Sequence, residues 1–298
     1  MSQMQVARFI EPGKPLEVGL ADKPKPGPND VLVKVEYCSL VPNTTNIVSG
    51  KGIPNAMPLP ESGNVFGLDA SGVIEAVGEH VLEVKVGQRV YVNPHLTRNS
   101  CFQCRSGRKD LCIHGILRGY FAFAPTGRKH LNQWPIGALS QYLLSPESKV
   151  AIIPDSIDLA TAARFGYIGT SYGGLKKGKV GPGKSVFRYF SHSCLADCLR
   201  RTVLINGVTG TLGFAAVAIA LGLGATKILG IGRNKERLQQ VESLSPTKGR
   251  VRVVSSEEED DMIAWVKKQT GGLGVDCMYD CLGVVSLETK LRPTLTWN

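Results

Sequence analysis

The sequence VLINGVTGTLGFAAVAIALGLGA, residues 203–225, is the most informative segment of the chain. An apolar strand ends at Asn206, glycines follow at 207, 210 and 213, and a helix of small residues begins at once. In this order the backbone N–H groups of the turn and the positive end of the helix dipole face a pyrophosphate, which side chains would block. A tight strand-to-helix turn that binds nothing is the alternative. The predicted cradle consists of Gly207, Thr209, Gly210, Thr211, Leu212 and Gly213.

The next strand predicts which dinucleotide such a turn would hold. Its sequence, with the start of the following helix, is KILGIGRNKERL, residues 227–238. Proteins that select NAD usually end this strand with an acidic residue, which accepts a hydrogen bond from the ribose 2′-hydroxyl. Here Gly232 ends the strand, and Arg233 and Asn234 follow it. Because a guanidinium suits a 2′-phosphate, we predict that NADP(H) binds at Gly232, Arg233 and Asn234.

The chain changes character near Pro154. Residues 1–153 contain short Val-rich segments at 31–38, 71–78 and 88–94, separated by Gly, Pro and Asn, which predict an antiparallel, loop-rich β domain. Residues 154–298 begin with a helical segment of small residues, LATAARFGYIGTSYGGL, and continue with apolar strands that alternate with helices. That alternation predicts a parallel sheet. The predicted fold class is α/β, with a β domain at 1–153 and a doubly wound dinucleotide-binding domain at 154–298.

Composition narrows the possible functions. The chain has 298 residues and a formal net charge of +10. Its basic residues are scattered, an acidic run at 257–261 interrupts them, and no base-stacking aromatic array accompanies them, so we predict no nucleic-acid partner. Eight cysteines with no signal peptide ahead of them predict a reducing, cytoplasmic compartment. The one long apolar run, 214–231, is rich in Gly and Ala, so we predict no membrane span.

Four segments carry a family resemblance. They are VLVKVEYCSL at 31–40, VFGLDASGVIEAVGEHVLEVKVGQRVYV at 65–92, CFQCRSGRKDLC at 101–112, and VGPGKSV continuing into INGVTGTLG. With these segments the chain resembles the medium-chain dehydrogenase/reductase superfamily of the zinc-type alcohol dehydrogenase kind. The resemblance implies a GroES-like substrate domain ahead of a Rossmann domain, and an oxidoreductase that acts on a small-molecule substrate. It also implies homo-oligomers among full-length relatives, while the oligomeric state of this chain stays open.

The catalytic zinc ligands of that family have no counterparts here. Zinc-dependent members carry a Cys-His-Thr segment, a Gly-His-Glu segment and a later Cys or His, because three protein ligands leave one zinc position open. This sequence has Val41-Pro42-Asn43, Gly67-Leu68-Asp69 and Phe165-Gly166-Tyr167 at the matching places. We therefore predict no catalytic metal, which favours the zinc-independent quinone and enoyl reductases. The polar groups expected near the cleft, none of them assigned as catalytic, are Tyr37, Asn43, Tyr167 and Tyr172.

The segment 101–112, here called the cysteine lobe, departs from the family in a different way. The resemblance implies four zinc-binding cysteines spaced C-x2-C-x2-C-x7-C, and Cys101, Cys104 and Cys112 match the last three. Arg98 stands at the place of the first, and an arginine cannot be a ligand. Two interpretations stay open: a structural zinc with His95 or His114 as fourth ligand, or a metal-free loop.

The segment FRYFSHSCLADCLRRTV, residues 187–203, splits the strand that should run from the Gly-Pro-Gly turn into Leu204. Its spacing H-x-C-x3-C is not typical of zinc sites. The segment is either an unspliced intron, because deleting it restores a continuous strand, or a genuine surface insertion. The final residues, VVSLETKLRPTLTWN, also differ from the family, so we expect a C-terminally truncated Rossmann domain. The alternative function is therefore a catalytically defective dinucleotide-binding product of an incompletely spliced gene.

Overall fold

The computed structural model of the chain describes residues 2–41, 43–50, 57–180 and 202–282. Pro42, most of the segment 187–203 and the final residues 283–298 lie outside the described residues, and so do the predictions made for them. Contacts divide the chain into two compact units, residues 1–166 and 167–298. The predicted boundary after residue 153 precedes a short helix that belongs to the first unit, because its Leu159 carbonyl accepts a hydrogen bond from Ser71 Oγ at 2.5 Å.

Antiparallel sheets form the first unit. The strands are β1 (Gln3–Arg8), β2 (Glu17–Asp22), β3 (Asp30–Cys38), β4 (Ala70–Val77), β5 (Arg89–Val92), β6 (His95–Leu96), β7 (Ile116–Leu117), β8 (Phe121–Ala122), β9 (Tyr142–Pro146) and β10 (Val150–Ile152). In the described residues they assemble as a β1-β2 pair, a five-stranded sheet of order β10-β5-β4-β3-β9, and a β6-β7-β8 sheet. The strands predicted at 31–38, 71–78 and 88–94 are β3, β4 and β5, so these predictions are confirmed.

The core of the first unit lies against the five-stranded sheet. Val31 and Val33 of β3 point to one face and are fully buried, together with Ile74 of β4 and Val90 of β5. This follows from the period of two in a strand, which places alternate side chains on the same face. The helices of this unit are short: α1 (Asn43–Ser49), α2 (Phe102–Arg105), α3 (Arg128–Asn132) and α4 (Leu159–Ala162).

A parallel sheet forms the second unit, as predicted. Its strands are β11 (Thr202–Asn206), β12 (Lys227–Gly232), β13 (Val251–Ser255) and β14 (Cys277–Asp280), and their order is β13-β12-β11-β14. The helices are α5 (Phe165–Lys177), which starts at the end of the first unit, α6 (Thr211–Gly222), α7 (Lys235–Glu242) and α8 (Met262–Gln269). Val203 and Ile205 of β11 pack in one core, and Leu204 packs in another on the opposite face. Burial on both faces explains the continuous apolar sequence of this strand.

The prediction of a single helical segment at LATAARFGYIGTSYGGL is wrong in one respect, because the structure divides this segment into α4 and α5. Asp158 caps α4 by accepting from Thr161 N at 2.7 Å, and the turn then tightens, with Arg164 N donating to the Thr161 carbonyl at 3.0 Å. The Phe165 ring lies against Tyr91, with the ring centroids 5.7 Å apart. Tertiary packing therefore interrupts the helix. Within the described part of the chain, no helix is long and apolar enough to cross a membrane.

Candidate functional site

The glycine turn after β11 is built by close backbone approach. Gly207 has φ of +77°, which an L side chain rarely adopts, and the N–H groups of Gly207 and Val208 both donate to the Ile231 carbonyl at 2.9 Å. A methyl group on Gly213 would lie 2.3 Å from the Gly207 carbonyl oxygen. Gly207 and Gly213 are therefore required by the turn itself, which brings the start of α6 directly onto the end of β11.

Helix α6 begins at this turn with its first N–H groups uncapped by any described side chain. Gly210 is the N-cap residue and has no side chain to supply, and α6 then starts with Thr211, Leu212 and Gly213. The first N–H groups of a helix have no partner within the helix and carry its positive dipole end. A small anion such as a phosphate satisfies both requirements. Thr209 completes the predicted cradle, so these residues fit the pyrophosphate of a dinucleotide.

Asn206, at the carboxyl end of β11, was not predicted as a site residue. Its Nδ2 donates to Asp280 Oδ1 at 2.9 Å, which joins the carboxyl ends of β11 and β14. Its Oδ1 is fully buried and has no hydrogen-bond partner among the described residues. An orphaned buried acceptor beside the glycine turn is a second feature that fits a polar ligand. From the sequence alone, an asparagine before a glycine indicates only the end of a strand, because its partner Asp280 is distant in the sequence.

The end of β12 meets the glycine turn. A methyl group on Gly232 would lie 2.8 Å from Thr209 Cγ2, so the two residues are in contact and the position admits no side chain without movement of Thr209. Ser256 N donates to the Gly232 carbonyl at 2.9 Å, and Ser255 Oγ donates to the Arg233 carbonyl at 3.3 Å. The structure thus brings Thr209 and Gly232 together. It also places Ser255 and Ser256 beside this site, which the sequence does not predict.

Arg233 and Asn234 follow β12 in different ways. Arg233 is exposed, whereas Asn234 is the N-cap of α7 and its Oδ1 accepts from Arg237 N at 2.9 Å. The Asn234 side chain therefore caps α7, and its contact with a cofactor stays a prediction. Lys235 pairs with Glu258, the distance from Nζ to Oε1 being 2.5 Å. The exposed guanidinium of Arg233, which directly follows β12, suits a phosphate.

The three places that match zinc ligands in the family lie in the first unit. Val41 is buried, Leu68 is half-buried, and Gly166 packs against the carboxyl group of Asp69. A methyl group on Gly166 would lie only 2.3 Å from Asp69 Oδ1 and 2.8 Å from Oδ2. The Asp69 carboxyl group therefore occupies space that any side chain at position 166 would need. With apolar groups at two positions and no side chain at the third, these residues do not fit a catalytic zinc.

Asp69 is paired with a tyrosine that the sequence reading did not select. Tyr91 Oη donates to Asp69 Oδ1 at 2.5 Å, and both residues are buried. Burial raises the pKa of Asp69 from 3.8 to about 6, although the hydrogen bond from Tyr91 lowers it in part. Burial also raises the pKa of the nearby Cys38 thiol to about 12, to which the charge on Asp69 contributes. Asp69 is thus the member of this cluster that ionises near neutral pH.

The four polar residues expected near the cleft are placed differently. Tyr37 lies in β3 and is half exposed, and Tyr172 lies in α5 with similar exposure. Tyr167 is also in α5 and is half-buried. Asn43 begins α1, and its side chain is outside the described part of the structure. The four residues therefore lie on three elements, β3, α1 and α5, and their roles stay predictions.

The cysteine lobe brings its three thiols together. Cys101 Sγ lies 3.5 Å from Cys104 Sγ and 3.9 Å from Cys112 Sγ, and all three sulfur atoms lie within 4.8 Å of one another. A tetrahedral zinc with Zn–S bonds of about 2.3 Å requires S–S distances of about 3.8 Å, so three corners fit.

The fourth corner has no ligand among the described residues. Neither His95 nor His114 joins the sulfur group. His114 Nδ1 instead contacts the Thr126 carbonyl at 2.9 Å, and Arg98 donates to Gln133 Oε1 at 2.9 Å. Structural zinc sites are almost always closed by four protein ligands. The lobe therefore falls one ligand short of a closed zinc site.

Comparison with known proteins agrees with this architecture. The family model described as alcohol dehydrogenase GroES-like domain matches residues 27–155, and the one described as zinc-binding dehydrogenase matches residues 211–293. A zinc-type alcohol dehydrogenase-like protein of Escherichia coli (strain K12) is 28% identical over 276 residues, which are 92% of this chain and 69% of that protein. An L-threonine 3-dehydrogenase of Francisella tularensis subsp. novicida (strain U112) is 27% identical over 86% of this chain and 63% of its own length.

Among solved structures, an alcohol dehydrogenase from Thermus sp. ATN1 superposes with a TM-score of 0.76 at 25% identity, covering 98% of this chain and 75% of that one. The fold is that of a GroES-like β unit joined to a Rossmann unit. The chain belongs to the medium-chain dehydrogenase/reductase superfamily. It spans about two thirds of the length of the curated relatives, 69% and 63% of the two named above.

Proposed function

We propose that this chain is an NADP(H)-dependent oxidoreductase that transfers hydride to or from a small carbonyl compound, alcohol or activated alkene without a catalytic zinc. The oxidoreductase class follows from the family. The observation that carries the zinc-free part is the packing of Asp69 against Gly166, where a methyl group would lie 2.3 Å from the carboxylate oxygen. Together with Val41 and Leu68, it leaves no protein ligand at the three positions that would hold the metal.

The dinucleotide would be held by residues of the second unit. The N–H groups at the start of α6, from Thr211 to Gly213, would bind the pyrophosphate, and Gly232 would leave room for the adenosine ribose. Arg233 would pair with the 2′-phosphate through a charge-assisted hydrogen bond. When bound, the nicotinamide supplies or accepts the hydride.

Turnover is tested by mixing the protein with NADPH and a panel of aldehydes, ketones, quinones and enones. The loss of NADPH absorbance measures the rate. We expect oxidation of NADPH with at least one substrate class, and the rate should not change after treatment with a zinc chelator, because no zinc takes part. Loss of turnover on chelation, restored by added zinc, would contradict the zinc-free proposal. Chelation must be accompanied by metal analysis, so that an effect on the cysteine lobe is recognised.

A second function is favoured by the same apolar positions. A chain with Val41, Leu68 and Gly166 at the ligand places and no assigned catalytic acid is also suited to bind a dinucleotide without turning it over. The catalytically defective product considered above is of this kind. Tight binding of NADPH with no oxidation across the whole panel favours this second function over the first.

Cofactor preference is tested separately at Arg233. Changing Arg233→Gln should weaken NADPH binding by about tenfold to a hundredfold and leave NADH nearly unchanged, since charge-assisted hydrogen bonds contribute about 1.5–3 kcal/mol. Arg237→Gln, in the first turn of α7, is the matched control and should change neither. Gly232→Asp is unsuitable as a switch, because its Cβ would meet Thr209 at 2.8 Å. If the parent chain binds NADH as tightly as NADPH, Arg233 has no role in selection.

A further inference from the structure

The cysteine lobe presents one reachable thiol beside two buried ones. Cys101 is partly exposed, while Cys104 and Cys112 are each only 5% exposed. All three are free thiols. The proposed oxidoreductase chemistry does not use them, and the missing fourth ligand means that they are not accounted for by a closed zinc site either. Thiols this close together, with one of them exposed to solvent, are suited to thiol–disulfide exchange.

The distances favour one pair. Cys101 Sγ lies nearer to Cys104 Sγ, at 3.5 Å, than to Cys112 Sγ, at 3.9 Å. Cys101 is the N-cap residue of α2 and Cys104 lies within that helix, so the two are fixed on a single turn by the bond from Arg105 N to the Cys101 carbonyl at 3.0 Å. Closing a disulfide of about 2.05 Å then requires the two sulfur atoms to approach each other by about 1.5 Å.

We propose that Cys101 and Cys104 form a reversible thiol–disulfide pair that exchanges with small-molecule disulfides such as oxidised glutathione. Cys101 sulfur attacks one sulfur of glutathione disulfide, which forms a mixed disulfide and releases one glutathione thiol that takes up the proton of Cys101. Cys104 sulfur then attacks Cys101 sulfur and releases the second glutathione with the proton of Cys104. The protein dithiol is oxidised by two electrons, and one glutathione disulfide is reduced to two thiols.

The test uses the full chain in glutathione buffers that range from reducing to oxidising. Samples are quenched in acid, alkylated with N-ethylmaleimide and digested with trypsin. Cleavage after Arg98 and Arg105 gives the peptide 99–105, which contains Cys101 and Cys104, whereas Cys112 falls in the separate peptide 110–118. In oxidising buffer we expect the peptide 99–105 to be two hydrogens lighter and to carry no alkyl group, and in excess reduced glutathione we expect it to carry two alkyl groups. The peptide 110–118 should be alkylated in every buffer.

Three outcomes would overturn the proposal. The first is full alkylation of the peptide 99–105 in every buffer. The second is a main product that joins the two peptides, which would make Cys112 the partner. The third is one bound zinc per chain that keeps all three thiols unreactive, since this would restore the structural zinc interpretation. Each outcome is measured on the parent chain, so the test does not require any variant to fold.

Variants assign the roles. In Cys104→Ser, Cys101 should stop at the mixed disulfide with glutathione, while Cys112→Ser should still form the internal disulfide of peptide 99–105. Cys38→Ser is the control, since Cys38 lies in β3, outside the lobe. Loss of the disulfide of peptide 99–105 in Cys112→Ser, but not in Cys38→Ser, would contradict the assignment of Cys104 as the partner of Cys101.

Discussion

Asp69→Asn should change how the stability of the first unit depends on pH. In the folded chain, burial raises the pKa of Asp69 from 3.8 to about 6, so the folded state binds the proton more tightly than the unfolded chain does. The stability that this contributes is fully present below the unfolded pKa and is lost as the pH rises through the folded pKa. A shift of about two pKa units corresponds to a total loss of about 3 kcal/mol. Asparagine stays neutral and keeps an oxygen that can accept from Tyr91, so the variant should not show this loss.

The expected difference is measurable between pH 5 and pH 8. About half of the loss has occurred by pH 5, because the unfolded carboxyl group is already ionised there, so about 1.5 kcal/mol remains to appear. Backbone hydrogen exchange of peptides from β4 and β5, measured by mass spectrometry, compares variant and parent at the same pH, so intrinsic rates cancel. Relative to the parent, the variant should gain about tenfold in protection on going from pH 5 to pH 8. Cys38 and Tyr91 do not interfere, since both pKa values are raised out of this range.

Asp158→Asn is a control of opposite sign. Asp158 caps α4, and the N–H of Thr161 lowers the pKa of its carboxyl group, so its contribution to stability is present above the unfolded pKa and lost as the pH falls. Its replacement should therefore weaken protection at pH 8 rather than strengthen it. A variant-minus-parent difference for Asp69→Asn that is the same at pH 5 and pH 8 would refute the reasoning.

Three further substitutions follow from the same contacts. Gly166→Ala should destabilise the first unit by about 1–3 kcal/mol through overpacking against Asp69, whereas Gly169→Ala, which has open space in α5, should be neutral or stabilising in thermal unfolding. Gly213→Ala should weaken dinucleotide binding at least tenfold in a fluorescence titration, because its methyl group would displace the glycine turn, while Gly222→Ala at the far end of α6 should not. Arg250→Ala removes hydrogen bonds to the Ala225 and Leu221 carbonyls at 2.8 and 3.0 Å, and should cost about 1–3 kcal/mol in chemical unfolding.

Local patterns predicted most of the fold. The sequence predicts β3, β4 and β5 because each is a short apolar run bounded by turn residues. It predicts the strand–helix alternation of the second unit for the same reason, since both patterns depend only on residues that are neighbours in the chain. The turn at Gly207 was readable for the same reason. The break between α4 and α5 was not readable, because it depends on Phe165 packing against Tyr91 of β5, which is distant in the sequence.

The arrangement around Asp69 lay beyond sequence reasoning for a related cause. Asp69, Tyr91 and Gly166 are far apart in the chain, and no short motif links them. The sequence showed that two candidate ligands were apolar and that the third was a glycine, but it did not show that the carboxyl group fills the space beside that glycine. The missing fourth ligand of the cysteine lobe is similar: sequence left His95 and His114 as options, and only their positions exclude them from the sulfur group.

The contact between Asp69 and Gly166 also bears on how easily a zinc site could be rebuilt. Leu68→His alone would add one ligand, and zinc requires at least three protein ligands in a catalytic site. A ligand side chain at position 166 would first have to displace Asp69, which is held by Tyr91 and is buried. Displacing it would leave a carboxyl group and a hydroxyl group without partners, at a cost of about 1–3 kcal/mol each. The glycine and the aspartate therefore depend on each other, and a ligand restored at position 166 would destabilise the unit before any metal could bind.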